Sequence, residues 1–581
     1  MEGTGYVGFL GVTKNPSNST YSEDTRGFCE LQERATPTRS TIQSHTIKPM
    51  AQQRNFLTAR FFPLVLAAVV LLTVSSATAV AASRSGSVPA ELWVVPFDSG
   101  RAAEMVLAES LQGLTGRDAP KLWLDKRGGM SAVILEQLES EGTRIHRVNS
   151  VWELPDDFWQ STDGAILYNL GTHSLNTATS LCGLWNLVAV DESIFEQALA
   201  KGLEIIYDAR GMSEDQILDP YLGSFNSEIA VEQSEAKPAY LRDFAILNKA
   251  FTFYGFDSAF RRRIAESLTP GATFFGWGPN EFTWISDFSH SGSEGIAADW
   301  CVNLSGMSKL AIDIPAPAET PPDPAEQGQR IVAFVLSDGD NIQWLTGGMP
   351  LDSKYFATPR RGQFSMNWEV SPMLAGVAPR VLKYFYDHAT EMDGFVAAGS
   401  PGYRYIHFEP GDPKGAIDAV QTAPYLDASH LSIVSVINDN AGTLDEVAPL
   451  LELPEVDGVI YKAYAPYNRL HGAMSCRVDA WGNEKFAVSY KFLLWENMAG
   501  ASPAEVANSI SQMPNSPQSN PGSYALINVH AWSWNGIGGP IEAVKNTIDR
   551  LPANTRVVTV NQFFSLLQQN LSCGERARAA F

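Results

Sequence analysis

Ionisable and amide side chains recur in the second half of the chain at one kind of position, immediately after a short apolar run. Ser337-Asp338-Gly339-Asp340-Asn341 follows Arg330 to Leu336, and Glu369 follows Phe364 to Trp368. Tyr403 and Tyr405 come after Gly394 to Ala398, Asn438-Asp439 after Leu431 to Ile437, and Lys462 closes the run from Val456. Glu496 follows Phe486 to Trp495, and His530, Trp532 and Trp534 follow Tyr524 to Val529. Two aspartates separated by one glycine can turn both carboxyls toward one point, where they would ligate a cation or act as acid and base. Glu369 and Glu496 each follow a tryptophan, and a carboxyl against an indole is desolvated and tends to keep its proton. A glycosidic acid needs that property, with a second carboxylate serving as nucleophile or as activator of water. Short turns also use Asp-Gly-Asp for backbone reasons, and a glutamate at this position also caps a following helix.

The aromatic residues gather at the same places. Trp344, Trp368, Tyr403, Tyr405, Tyr464, Tyr467, Trp495, Trp532 and Trp534 all lie near these run ends, and sugar rings pack their C–H faces on aromatic planes while their hydroxyls bond carboxylates and amides. The candidate catalytic residues are therefore Asp338, Asp340, Glu369, Glu496 and His530. The candidate binding residues are Asn341, Trp344, Tyr403, Tyr405, Asp439, Lys462, Trp532 and Trp534. No cofactor and no metal ligand is expected, with a divalent cation at Asp338 and Asp340 as the alternative.

The elements that must position these residues read as α/β throughout. From Arg330 onward seven or eight strand-like runs alternate with helical ones such as Ala375 to His388 and Ile541 to Leu551. That number of βα units fits one (β/α) barrel-like domain over residues 330–572, whose C-terminal strand ends form the mouth where active sites are built. Ahead of it, Ile314 to Pro324 is too rich in proline for helix or sheet, so 314–329 reads as an extended linker. Residues 88–313 read as an N-terminal α/β domain: strand-like runs at Glu91 to Phe97, Lys121 to Leu124, Ala165 to Tyr168, Leu187 to Val190 and Glu204 to Tyr207 alternate with amphipathic stretches. No glycine-rich phosphate loop follows the first run, so no dinucleotide site is expected.

Residues 1–82 read as a leader. The uncharged run from Pro63 to Ala82 follows Arg54 and Arg60 and ends in Ala77-Thr-Ala79-Val-Ala81-Ala82, the small-residue pattern of a signal-peptidase site. A start at Met50 would give such a signal its usual length. The expected product is secreted, without stable membrane association after cleavage; the alternative is an uncleaved anchor at 64–82. The formal net charge of −22 over 581 residues argues against nucleic acid and anionic membranes as partners, and leaves the oligomeric state open. Cys182, Cys301, Cys476 and Cys573 permit two disulfides in three pairings. Asn303-Leu-Ser305 and Asn570-Leu-Ser572 are glycosylation sequons.

Phe334-Val-Leu-Ser-Asp-Gly-Asp-Asn-Ile-Gln-Trp344, Trp368-Glu-Val-Ser-Pro372, Gly402-Tyr403-Arg-Tyr405 and Val529-His-Ala-Trp-Ser-Trp534 resemble segments of the GxGYxYP family of putative glycoside hydrolases. Ser400 replaces the first glycine of the naming motif and Ile406 its proline. The resemblance implies an N-terminal α/β domain, a barrel-like C-terminal domain and a poly- or oligosaccharide substrate. More distantly it extends to deacetylase barrels in which an early aspartate pair and a late histidine serve a metal, places that Asp338, Asp340 and His530 would occupy. Trp368 to Pro379 holds no histidine, which disfavours that metal-dependent esterase because zinc-class ions prefer imidazole ligands. A carbohydrate-binding protein without catalysis is the third reading.

Overall fold

Short runs of β-branched and aromatic residues set the strands of the N-terminal part, and each is followed by a helix or loop that returns the chain to the same end, so neighbouring strands pair in parallel. The computed structural model describes residues 88–406, 413–439, 442–464 and 466–574; the expected leader and signal peptide lie outside them. Strands β1 (Glu91–Pro96), β2 (Leu122–Asp125) and β3 (Arg144–Arg147) form one sheet in the order β2-β1-β3. A second, β5-β4-β6, comprises β4 (Ala165–Tyr168), β5 (Val188–Asp191) and β6 (Ile205–Asp208). The third, β10-β9-β7-β8, comprises β7 (Ile229–Glu232), β8 (Phe251–Phe253), β9 (Thr273–Gly276) and β10 (Glu294–Ala297).

The sheets are welded by helix 242–247, which lies against helices 102–115 and 174–185 at two glycines. A Cβ on Gly113 would sit 2.5 Å from the Asp243 carbonyl, and one on Gly183 would sit 2.8 Å from that of Ile246. Asn303, the first sequon, is part of this weld. Its buried amide donates to Leu124 O at 2.8 Å and Ser131 Oγ at 2.7 Å and accepts from Leu124 N at 2.7 Å. A glycan there would have to displace the core, so in the folded chain Asn303 is a structural residue.

Residues 314–325 are extended, as their prolines require, and are pinned to the barrel. His430 Nε2 lies 3.1 Å from Ile314 O, Gln562 donates to Thr320 O and Arg556 to Asp323 O.

The barrel strands are β11 (Arg330–Leu336), β12 (Met366–Val370), β13 (Asp393–Ala398), β14 (Ile433–Asn438), β15 (Gly458–Ala463), β16 (Met474–Val478), β17 (Glu484–Ser489), β18 (Phe492–Leu494), β19 (Tyr524–Val529) and β20 (Thr555–Val557). They form one ten-stranded sheet in the order β16-β17-β15-β14-β13-β12-β11-β19-β18, with β20 added to the start of β11. All pairs are parallel except the β16–β17 hairpin, which the sequence reading lacked; its half-exposed strand is tied by the Cys476–Cys573 disulfide, while Cys182 and Cys301 are free and buried. The expected single strand from Phe486 to Trp495 is two. Its first half pairs with β15 and its second with β19, with Lys491 N bonded to Leu526 O at the change-over. One continuous segment thus serves both ends of the sheet, which curls back on itself as a barrel-like fold.

Along β11 the side chains alternate in the usual way. Val332, Phe334 and Leu336 pack outward in the core shared with the surrounding helices, while Ile331, Ala333 and Val335 join Ile433, Ile460, Val488 and Leu526 in a separate inner cluster. The helix Val560–Asn570 seals one end by inserting Phe563 and Phe564 into that cluster; at Gly458 a Cβ would meet the Phe564 ring at 2.3 Å. With this end plugged, the polar residues are left to the opposite mouth.

Candidate active site

Strand β12 extends two residues beyond the run read from sequence, so Glu369 lies within it rather than after it. Alternation then turns Trp368 outward and Glu369 inward, where it is fully buried. Its partner is Lys462, inward-facing on β15: Nζ lies 2.9 Å from Oε1 and 3.2 Å from Oε2. Burial alone would lower the Lys462 pKa, but Glu369 and Asp340 outweigh it and the ammonium is held above its ordinary value. Lys462 lines the floor of a cleft that opens at the barrel mouth, with Glu369 beneath it.

Above the pair sits the Ser337-to-Asn341 turn. Gly339 is needed there because a Cβ would fall 1.9 Å from the Glu369 carbonyl oxygen. Asp338 is in the left-handed region at φ 71°, a conformation that costs a non-glycine residue about 1–3 kcal/mol and occurs where surrounding structure imposes it. Its Oδ1 accepts from Trp532 Nε1 at 3.0 Å and its Oδ2 from the Ser337 hydroxyl. Asp340 has the opposite surroundings. Burial, with Asp338 and Glu369 adding to it and Lys462 opposing, pushes its carboxyl up to about 7. Two aspartates on one turn thus differ in surroundings: Asp338 is supplied with donors, and Asp340 is buried and favoured to hold a proton.

Of the residues singled out by sequence, Asp338, Asp340, Asn341, Tyr403, Lys462 and Trp532 line the cleft, and Glu369 underlies it. Asn341 also caps the helix that follows, accepting from Trp344 N at 3.1 Å. Trp344 stands behind Trp532, ring centroids 4.7 Å apart, and against Tyr355. Tyr405 is buried beneath Tyr403, against Phe282 and Tyr464. His530 stacks on Trp495 at 3.8 Å with Nδ1 2.7 Å from Ser533 Oγ; burial lowers its pKa, and Asp338 partly opposes this. Glu496 is turned away from the cleft: its Oε2 accepts from Trp534 N at 2.9 Å and its own N–H donates to Ser533 Oγ at 3.2 Å. Trp534 belongs to the same loop, and Asp439 N donates to Asn438 Oδ1 just past β14. Among the described residues, the groups of three ligand atoms close enough to share an ion include none of Asp338, Asp340 and His530.

The far wall comes from the N-terminal part and was invisible to the sequence reading. Trp277, Glu281 and Ala297 line the cleft, and Glu281 Oε1 accepts from the Tyr403 hydroxyl at 3.0 Å. Glu281 carries the signature of an ordinary first-turn helix residue, following the cap Asn280, so only the fold reveals its position. The Gly-Tyr-x-Tyr segment is the splice between the two parts. Tyr403 bridges Gly295 of β10, Tyr405 bridges Ile437 of β14, and Gly402 N donates to Glu294 Oε2 at 2.7 Å. Gly402 is required, since a Cβ would meet the Glu294 carboxyl carbon at 2.9 Å.

Comparison with known proteins decides the family. Residues 329–568 match the GxGYxYP putative glycoside hydrolase C-terminal domain, 227–309 the GxGYxYP third domain and 162–225 the second domain of the GxGYxYP N-terminal region. The chain belongs to the GxGYxYP family. No curated protein sequence matches it. A crystal structure described as a putative hydrolase from Bacteroides thetaiotaomicron VPI-5482 superposes with a TM-score of 0.74 at 26% identity, covering 84% of this chain and 96% of that one. Both comparisons indicate a hydrolase. In this GxGYxYP protein the third-domain match supplies Glu281 and Trp277, and the C-terminal match supplies the aspartates.

Proposed function

We propose that the protein is a secreted glycoside hydrolase in which Asp340 is the proton donor and Asp338 the second carboxyl group. The observation that carries this reading is the contrast between two aspartates on one turn of one cleft, Asp340 buried beside Glu369 and Lys462 and Asp338 held by the Trp532 indole and the Ser337 hydroxyl. Asp340, favoured to be protonated up to about pH 7, can protonate a leaving glycosidic oxygen. Asp338, held by Trp532 Nε1, stays available to stabilise positive charge at the anomeric carbon or to activate water. The Glu369–Lys462 pair positions the turn rather than reacting, because both side chains are buried and satisfied by each other. Trp532 is 44% exposed beside Asp338, a platform for a sugar face, and Tyr403 with Glu281 offers hydrogen bonds opposite.

The apolar run ending at Ala82 supports export by a cleaved signal; sequencing the N-terminus of protein from the native host tests it, and residues before Leu64 on that protein would establish the anchor instead. The enzymatic reading is tested by a screen of oligo- and polysaccharides with the parent chain and with Asp338→Asn and Asp340→Asn. Release of reducing ends by the parent and its loss in both variants is the expected result. Full activity in either variant refutes the assignment.

A further inference from the structure

A second constellation lies in the N-terminal part, remote in sequence from the barrel residues. His173 sits just before helix 174–185, Glu214 just before helix 215–221, and Glu235 in the loop after β7. These positions follow the C-terminal ends of β4, β6 and β7, the side on which parallel sheets place ligands. His173 Nδ1 is 2.9 Å from Glu214 Oε2 and 3.2 Å from Glu235 Oε1, and the three ligand atoms lie within 4.8 Å of one another.

A plain ion pair does not account for this arrangement. The Glu214 side chain is fully buried, yet its Oε2 accepts no hydrogen bond from the protein. The imidazole nitrogen is near enough but not aligned to donate. A buried carboxylate oxygen left so is costly, and it is relieved when its lone pair and that of the ring nitrogen converge on a cation instead. Ligand atoms held about 2.0–2.2 Å from a tetrahedral ion stand about 3.3–3.6 Å apart, so the observed spacings need to open only slightly. Behind the ligands Asn176 Nδ2 donates to Glu214 Oε1 at 2.9 Å and to Glu235 Oε1 at 3.2 Å. Arg242 Nη1 in turn donates to Asn176 Oδ1 at 2.9 Å. Such outer hydrogen bonds are what fixes metal-binding carboxylates in orientation. His173 is half exposed, which leaves an entry path and room for a water as fourth ligand.

We propose that His173, Glu214 and Glu235 bind one divalent transition ion of the zinc class. One imidazole and two carboxylates suit such an ion better than calcium, which takes six to eight oxygens. The ion ties the loop of the third sheet to the two helix starts of the second, so its role is to lock two N-terminal units together.

The test uses the full chain without a histidine tag, stripped with chelator and titrated with zinc chloride by calorimetry and by thermal melting. The expected result is one zinc per chain and a raised Tm. His173→Ala and Glu235→Gln should each weaken zinc binding on the order of 100-fold or more while leaving the melt in chelator unchanged; both residues have solvent-reachable side chains, so folding is preserved. Three results overturn the proposal: no saturable zinc binding by the parent, undiminished binding in the two variants, or an equal Tm rise with calcium. Loss of zinc binding in Asp338→Asn/Asp340→Asn, with His173→Ala unaffected, overturns it as well and moves the ion to the barrel cleft.

Discussion

Trp368-Glu369 and Trp495-Glu496 are the same dipeptide in one barrel, the first within β12 and the second just past β18, and they end in different environments. Glu369 is inside its strand, faces the barrel axis and is ion-paired with Lys462 at the cleft floor. Glu496 lies beyond its strand, where the Trp534 backbone N–H occupies it and holds the Val529-to-Trp534 loop in shape. The difference is strand phase and extent. Glu369 comes one residue after the outward Trp368 within β12 and so turns inward by alternation, whereas Glu496 comes two residues after Leu494, an outward-packed residue at which β18 stops, and is left to the loop. Neighbouring tryptophan therefore says little about a carboxyl; strand phase and the group facing it across the barrel say much more.

Substitutions in the two regions should separate accordingly. The largest effect belongs to the cleft: Asp340→Asn should lower kcat by about 10²–10⁴-fold on any glycan the parent hydrolyses, with Glu496→Gln within a few fold of the parent in the same steady-state assay. The parent's kcat should fall as pH rises through about 7, as Asp340 loses its proton. The same raised value has a stability consequence. Between the ordinary aspartate pKa and about 7 the folded chain holds a proton that the unfolded chain has released, so Asp340 favours folding at low pH and this contribution is lost across that window. Thermal melts of Asp340→Asn against pH should lack that decline.

Next comes the floor. Lys462→Met should destabilise the chain by about 3–5 kcal/mol in denaturant titrations, because it strands a buried carboxylate. Lys462→Met combined with Glu369→Leu should recover much of the loss, which a role of Lys462 confined to substrate binding would not produce. Glu281→Gln weakens the bond to Tyr403 and should raise KM up to about 10-fold, the scale of one hydrogen bond to a charged group, with kcat little changed. An unchanged KM would remove the N-terminal wall from the binding site. The smallest effect is Glu496→Gln on stability, under about 1 kcal/mol by urea titration, since the amide oxygen can still accept from Trp534 N. A larger loss would mean the two regions are less different than their contacts imply.

The sequence by itself determined the parts that depend on local pattern. Proline density set the extended strap at 314–325, alternation of apolar runs set the parallel strands, and Gly339 between two aspartates marked a turn that only glycine permits against Glu369. The ends of β11, β15 and β19 brought Asp338, Asp340, Lys462 and Trp532 to one mouth because parallel strands share a direction. What only the tertiary structure decided are the relations between distant residues. The segment 484–494 divides its pairing between β15 and β19, a choice fixed by curvature of the whole sheet. The three N-terminal sheets are held together where helix 242–247 packs on Gly113 and Gly183. Glu281 reaches the cleft because Tyr403 pairs with Gly295, more than a hundred residues earlier, and no local propensity encodes that approach. The raised pKa of Asp340 likewise follows from which neighbours the fold supplies, a matter of burial and distance rather than residue type.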